Sequence, residues 1–148
     1  MIVININKQT LEHKGKSYLI SSAKNGVGEA EGSFCTPTGN FKIAEKIGDK
    51  LKVGSVLVGR VATGEVYSKQ LFDQHPNKDW ILTRILWLDG TDERNKNTKD
   101  RYIYIHGSPD EFTMGEVGSK GCIRMHNKDV VELFDHVQIG EDVAIIEK

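Results

Sequence analysis

Two residues of this chain have the types and setting of a thiol nucleophile and its base. His106 ends the apolar run Tyr102-Ile103-Tyr104-Ile105 and precedes Gly107, and Cys122 lies within Ser119-Lys120-Gly121-Cys122-Ile123-Arg124. A cysteine attacks as its thiolate, and an unperturbed cysteine is mostly protonated at neutral pH, so an imidazole must take the proton or pair with the anion. Sixteen positions separate the two residues, too many for contact along one helix or strand. Two neighbouring strand ends would meet if residues 108–118 form a returning loop, and Gly115, Gly118 and Gly121 suit one, because glycine accepts positive φ and close backbone approach. The same residues have a plainer explanation. Free cysteine is often a small buried hydrophobe, and a strand-end histidine can simply be held by a loop carbonyl.

The elements that must position this pair are mostly strands. Ile2, Ile4 and Ile6 alternate with Val3 and Asn5, and Thr10 to His13 and Tyr18 to Ile20 follow across short polar turns, which predicts three antiparallel strands. Residues 21–33 hold Gly26, Gly28 and Gly32 without apolar period and read as a loop. Thr36-Pro37-Thr38-Gly39 reads as a turn, since proline fixes φ at one corner and glycine frees it two residues later. Phe41 to Ala44 restarts a strand. Val53 to Val61 and Glu65 to Tyr67 read as a hairpin turning at Thr63-Gly64, and the polar stretch from Leu71 to Lys78 as an excursion. Trp80 to Leu88, the most continuous apolar run, predicts a strand buried on both faces. Asp89 to Asp100 reads as a solvated loop. The one good helix is expected after Asn127 as N-cap, with Val130, Val131, Leu133, Phe134 and Val137 as its apolar stripe, and Val143 to Ile146 closes the chain as a strand. The sum is one mostly β domain over residues 1–148, a β-sandwich or partly closed barrel of short antiparallel strands with one C-terminal helix.

Composition narrows the function. At 148 residues, 38% apolar and 28% charged, the chain is sized for a single soluble domain with a real core. A formal net charge of −1 and the lack of any Lys/Arg block give no nucleic-acid footprint and no polybasic membrane anchor, so a small-molecule partner is expected. Met1 runs directly into the first strand pattern with no basic and apolar leader, so a cytoplasmic protein is expected, or a periplasmic one if the sequence was trimmed. A zinc site using Cys35, Cys122 and some of His75, His106, His126 and His136 has no Cys-x-x-Cys or His-x-x-x-His element behind it, and neither metal nor cofactor is expected. Arg84, inside the apolar run, must either pair with a carboxylate or face a cleft where its fork could hold a substrate carboxylate. Cys35 is expected as a packed structural thiol.

His106-Gly107, a loop, and then Ser119-x-Gly121-Cys122-Ile123-Arg124-Met125 resembles the signature of the L,D-transpeptidase catalytic-domain family, cysteine enzymes of peptidoglycan peptides. Thr36-Pro37-Thr38-Gly39-Asn40-Phe41 is similar to that family's Thr-Pro-x-Gly-x-Phe segment, and Asp79 to Leu88 followed by Arg101 to Gly107 resembles a subgroup of short members without signal peptides. One position departs: Lys120 stands where the family most often has histidine.

The resemblance implies an acyl-enzyme cycle on peptidoglycan tetrapeptides or muropeptides, between meso-diaminopimelate and the terminal D-alanine. Cys122 would be the nucleophile and His106 its base, oriented by the carbonyl of Gly107. Backbone N–H groups around Gly121 and Cys122 would hold the oxyanion. Ser119 would support that loop or a substrate carbonyl, Arg124 would meet a substrate carboxylate, and Tyr104, two residues before His106, would share its strand face. Carbapenem-type β-lactams are implied as covalent inhibitors. The expected activity is a cytoplasmic L,D-carboxypeptidase of muropeptide recycling, with periplasmic 3-3 cross-linking or D-amino-acid exchange as the alternative. A catalytically dead wall-binding domain would have no need of both His106 and Cys122.

Overall fold

Isoleucines 2 and 4 are both fully buried while the residues between and after them are partly exposed, so the first strand forms as its alternation requires. The computed structural model describes residues 1–148, with ten strands and two α-helices. The strands are β1 (Ile2–Asn5), β2 (Thr10–His13), β3 (Lys16–Ser21), β4 (Gly39–Ile47), β5 (Ser55–Val58), β6 (Val61–Val66), β7 (Leu82–Gly90), β8 (Tyr104–Ser108), β9 (Ile123–His126) and β10 (Asp142–Ile146). The helices are α1 (Lys69–Gln74) and α2 (Asn127–His136).

The strands run in the order β4-β10-β1-β2-β3-β9-β8-β7-β5-β6, and β4 also pairs with β7. That pairing closes the first eight into a barrel-like ring and leaves the β5–β6 hairpin attached to the outside of β7 through Val56 and Leu82. Closure removes the sheet edges that would otherwise be open to other chains. Inside the ring lie Ile2, Ile4, Leu11, Ile20, Phe41, Ile43, Leu86, Leu88, Ile105 and Ile123, with Val130, Leu133 and Phe134 of α2 packed onto them. The apolar stripe of α2 is therefore core. Two pairings are parallel, β1 with β10 and β8 with β9; the second carries the site.

Three local expectations are corrected. The hairpin turns at Gly59-Arg60, with φ of 55° and 67°, and Thr63-Gly64 lies within β6. Positive φ at both central residues matches the right-handed twist of a hairpin, and Arg60 accepts it as the second of the two. The stretch 71–78 is not wholly irregular: α1 begins at Lys69, where Ser68 Oγ accepts the N–H of Leu71 at 3.1 Å. Residues 89–100 are more than a solvated loop. Asp89 and Gly90 end β7, and two 3-10 turns follow, at Glu93–Asn95 and Lys99–Arg101, with Asn95 and Thr98 fully buried. The cause is Asn95, whose Nδ2 donates to the carbonyls of Thr38 (3.1 Å) and Asn40 (3.0 Å) and fastens the segment to the start of β4.

Candidate active site

Residues 109–122 form the returning loop, and β8 and β9 lie side by side with His106 opposite Arg124 and Ile105 opposite Ile123. Side chains alternate across a strand, so Tyr104 and His106 share one face of β8, and Cys122 and Arg124 share the same face of β9 and its approach. Cys122 thus stands beside Tyr104 and diagonal to His106. The Tyr104 N–H donates to Cys122 Sγ at 3.3 Å, and the thiol donates to the carbonyl of Tyr102 at 3.4 Å. Tyr104, Ile85, Trp87 and Leu57 form the apolar cluster against which the half-buried Cys122 packs.

The imidazole is fixed by its own strand. His106 Nδ1 is 2.6 Å from the carbonyl of Gly107, and a carbonyl can only accept, so Nδ1 carries the proton and Nε2 keeps its lone pair. His106 is 1% exposed. Burial lowers its pKa below the ordinary 6.5 and Arg124 lowers it further, against the Gly107 carbonyl and Asp79, which favour the proton. Burial also pushes the Cys122 thiol up to about 12, opposed by the Tyr104 N–H and by Arg124 and Arg101. Both shifts favour the neutral forms. Together they weigh toward thiol and imidazole over thiolate and imidazolium.

A bulge in β7 explains why glycine follows the histidine. Between Leu82 and Ile85 the register with β8 slips, and Thr83 adopts φ of 75°, an unusual conformation for a β-branched residue. The bulge brings Leu82 O against Gly107, where a Cβ would stand 2.6 Å from it and would also meet Asn127 Oδ1. Thr83 Oγ1 accepts the N–H of Gly54 at 3.0 Å and donates to Asn127 Oδ1 at 2.7 Å. Asn127 is therefore the first residue of α2 and a brace for the bulge. It does not serve as the expected N-cap: His126 holds that position, with no side-chain capping bond.

The loop that carries Cys122 is braced from below. Ser119 Oγ donates to the carbonyl of Cys122 at 2.6 Å and accepts the Gly121 N–H at 3.2 Å. Gly121 has φ of 130° and lies against Cys35 O and Ile103, so a side chain there meets both a backbone and a steric barrier. Thr36 Oγ1 donates to Gly121 O and accepts from Ala23 N, both at 2.9 Å. The turn at Thr36-Pro37 thereby reaches the residue before Cys122. The Gly121 N–H is thus spent on Ser119, whereas no acceptor within the protein takes the Cys122 N–H.

Residues 1–146 match the L,D-transpeptidase catalytic domain (YkuD) family. The chain belongs to this family. YqjB of Bacillus subtilis, a protein provisionally named an L,D-transpeptidase, is 46% identical over 50 residues, 34% of this chain and 28% of YqjB. The chain thus matches less than a third of that relative's length. The L,D-transpeptidase of Xylanimonas cellulosilytica (residues 123–326) superposes with a TM-score of 0.61 at 19% identity, over 98% of this chain and 59% of that one. L,D-transpeptidase 3 of Mycobacterium tuberculosis, solved with a faropenem-derived adduct, superposes with a TM-score of 0.60 at 16% identity, over 99% and 59%. At these identities the likeness is one of fold.

Within this L,D-transpeptidase domain the structure brings together His106, Gly107, Ser119, Gly121, Cys122, Arg124 and Tyr104, and sets Arg84 apart. Arg84 is buried and its Nη1 donates to the carbonyls of Leu51 (2.9 Å) and Thr83 (2.7 Å), with its guanidinium over the ring of Phe134. It meets neither a carboxylate nor the His106 face, because the bulge turns it toward α2 and supplies carbonyls as partners. Arg124 adjoins the imidazole but is largely buried, 3.5 Å from Asp79 and stacked on Phe112. Lys120 is exposed on a 290 Å³ cleft shared with Tyr102, Ile103 and Phe34. Both cysteines are free thiols, and no three His, Cys, Asp or Glu side chains are grouped for a metal. Cys35 is half-buried, its sulfur toward the carbonyls of Asn25 and Ser33. Sequence reasoning missed Thr83, the brace of Asn127, Thr36 and Asp79. Only Thr36 carried a signal, as part of the Thr-Pro turn.

Proposed function

We propose that this domain is a cysteine acyltransferase of peptidoglycan stem peptides that works mainly as an L,D-carboxypeptidase, releasing the terminal D-alanine of a tetrapeptide from meso-diaminopimelate. The observation that carries the proposal is the commitment of His106 Nδ1 to the Gly107 carbonyl, which leaves Nε2 as a base facing the side of the sheet where Cys122 lies. In the reaction the thiol leaves the Tyr102 carbonyl and turns to Nε2. Nε2 takes its proton as sulfur attacks the amide carbonyl carbon on the L-centre, and the carbonyl electrons move to oxygen beside the Cys122 N–H. Collapse of this tetrahedral species breaks the C–N bond, and the departing amine of D-alanine takes the proton from the imidazolium. Water then attacks the thioester, giving its proton to Nε2, and the sulfur leaves to regain it, freeing the tripeptide acid.

Water is the proposed acceptor because it outnumbers any amine where the donors are soluble muropeptides, and the cytoplasm is the proposed setting. Carbapenem-type β-lactams are proposed as acylating agents of Cys122, their strained amide standing in for the donor carbonyl. Intact-mass measurement would register the adduct. The activity is tested by mass spectrometry of a tetrapeptide incubated with the protein, with and without a D-amino acid. Tripeptide plus free D-alanine should dominate in both. A product spectrum dominated by amine exchange, or fractionation of the native protein to the periplasm, would instead support a transpeptidase.

A further inference from the structure

The cations that the sequence offered for a substrate carboxylate are engaged elsewhere: Arg84 on backbone carbonyls, and Arg124 beside Asp79. A third arginine is not. Arg60 sits at the tip of the β5–β6 hairpin, which stands outside the ring with every residue of β6 exposed. From there its guanidinium reaches back over the catalytic face, 4.7 Å from the ring centroid of Trp87 and 5.2 Å from that of Tyr102, and Nη1 donates to Tyr104 Oη at 3.1 Å. No Asp or Glu of the protein forms an ion pair with it, and one of its five N–H donors is used. Two aromatic faces hold the position of a charge whose fork is left over.

We propose that Arg60 is the anchor for a carboxylate of the peptide substrate, specifically the carboxylate at the end of the diaminopimelate side chain. The inference rests on the stem-peptide reading above. Its geometry comes from Tyr104, whose N–H touches the Cys122 sulfur while its hydroxyl touches Arg60, so one residue links the nucleophile to the guanidinium. In diaminopimelate the L-centre carbonyl and the distal carboxylate are separated by five carbons, three methylenes between two amino-bearing carbons, a chain long enough to run past a tyrosine side chain. Beneath the guanidinium the Tyr104 and Trp87 rings are buried and meet edge to face at 5.7 Å, which fixes the platform that holds Arg60. Bidentate pairing of a carboxylate with a preorganised guanidinium selects for a planar anion there, which a lysine ammonium does not reproduce.

The test is binding of a tetrapeptide, as the free acid and with the diaminopimelate side-chain carboxylate converted to carboxamide, to the Cys122→Ala protein, which cannot form the thioester. Amidation should weaken binding by about tenfold or more. In the same background Arg60→Gln should weaken the acid comparably and leave acid and amide within about twofold of each other, and Arg60→Lys should recover only part of the preference. Equal binding of the two peptides with Arg60 present, a preference that survives Arg60→Gln, or no binding of either peptide overturns the proposal. Loss of affinity for both forms alike, together with a lowered Tm, would make Arg60 a mere staple for the hairpin. Turnover of tetrapeptide by the unmodified protein is scored separately. Carboxylate-dependent binding without turnover would sink the catalytic reading and leave the anchor standing, and turnover without carboxylate preference would do the reverse.

Discussion

The backbone oxygen of Leu82 closes the space beside Gly107, 2.6 Å from where a Cβ would stand. The glycine after His106 is therefore required by packing against the β7 bulge. Its φ is not in the left-handed region. Gly107→Ala must push Leu82 or Asn127 away, and the carbonyl that orients His106 moves with it. Overpacking of this kind costs about 1–3 kcal/mol. The expected result is a lower Tm together with a loss of turnover larger than the stability change accounts for. Full activity in a folded Gly107→Ala protein would remove the Gly107 carbonyl from the mechanism.

Cys122→Ala should abolish turnover and leave the fold intact, since the half-buried thiol contributes little core. Cys35→Ser should keep most of the activity: its sulfur meets only the carbonyls of Asn25 and Ser33, and it is the backbone of Cys35 that supports Gly121 and Arg101. Substantial activity in the first variant, or its abolition in the second with folding preserved, would reverse the roles of the two thiols.

Thr83→Val keeps the β-branched shape and removes the hydroxyl that joins Gly54 N to Asn127 Oδ1. Buried groups left without partners cost about 1–3 kcal/mol each. We expect a destabilisation in that range by denaturant titration, with Thr83→Ser recovering the bonds and most of the stability. If valine is neutral, the bulge is held by the β7–β8 ladder alone.

What was legible in the sequence follows the range of the interactions. Alternation at Ile2 and Ile4 and the continuous apolar run from Trp80 to Leu88 are local patterns, and both became strands, the second shifted two residues along to Leu82–Gly90. Closure of the ring through β4 and β7 is a pairing across some forty residues with no local signature, so the sequence left sandwich and barrel unresolved. The hairpin turn was misplaced because Gly59 and Gly64 both permit positive φ, and only the backbone of Arg60 decides between them. At the site, the types and spacing of His106 and Cys122 were readable, as was the loop between them. The partners of Arg84 were not, since its carbonyl acceptors on Leu51 and Thr83 exist only once β7 bulges. Nor could a single arginine in a surface turn announce that it would lie over Trp87 and Tyr102 and donate to the Tyr104 hydroxyl.

The pH dependence distinguishes a neutral resting pair from an ion pair. Turnover requires Nε2 of His106 unprotonated, and burial holds its pKa below the ordinary 6.5, so kcat/KM should rise with pH along an acid limb centred below that value and then level off. The thiol, pushed up to about 12, stays protonated across the neutral range, so no second limb from thiolate formation should appear near pH 8. Removing the base changes the shape as well as the height. His106→Ala should cost about 10² to 10⁴ in rate at neutral pH. With only thiolate left to react, its rate should climb roughly tenfold per pH unit toward the alkaline end without a plateau near neutrality. A thiolate–imidazolium pair would give the opposite profile in the unmodified protein, with activity lost as pH rises through a histidine pKa above 6.5. A kcat/KM that falls between pH 6 and 8 would therefore refute the neutral pair and the proton transfer derived from it.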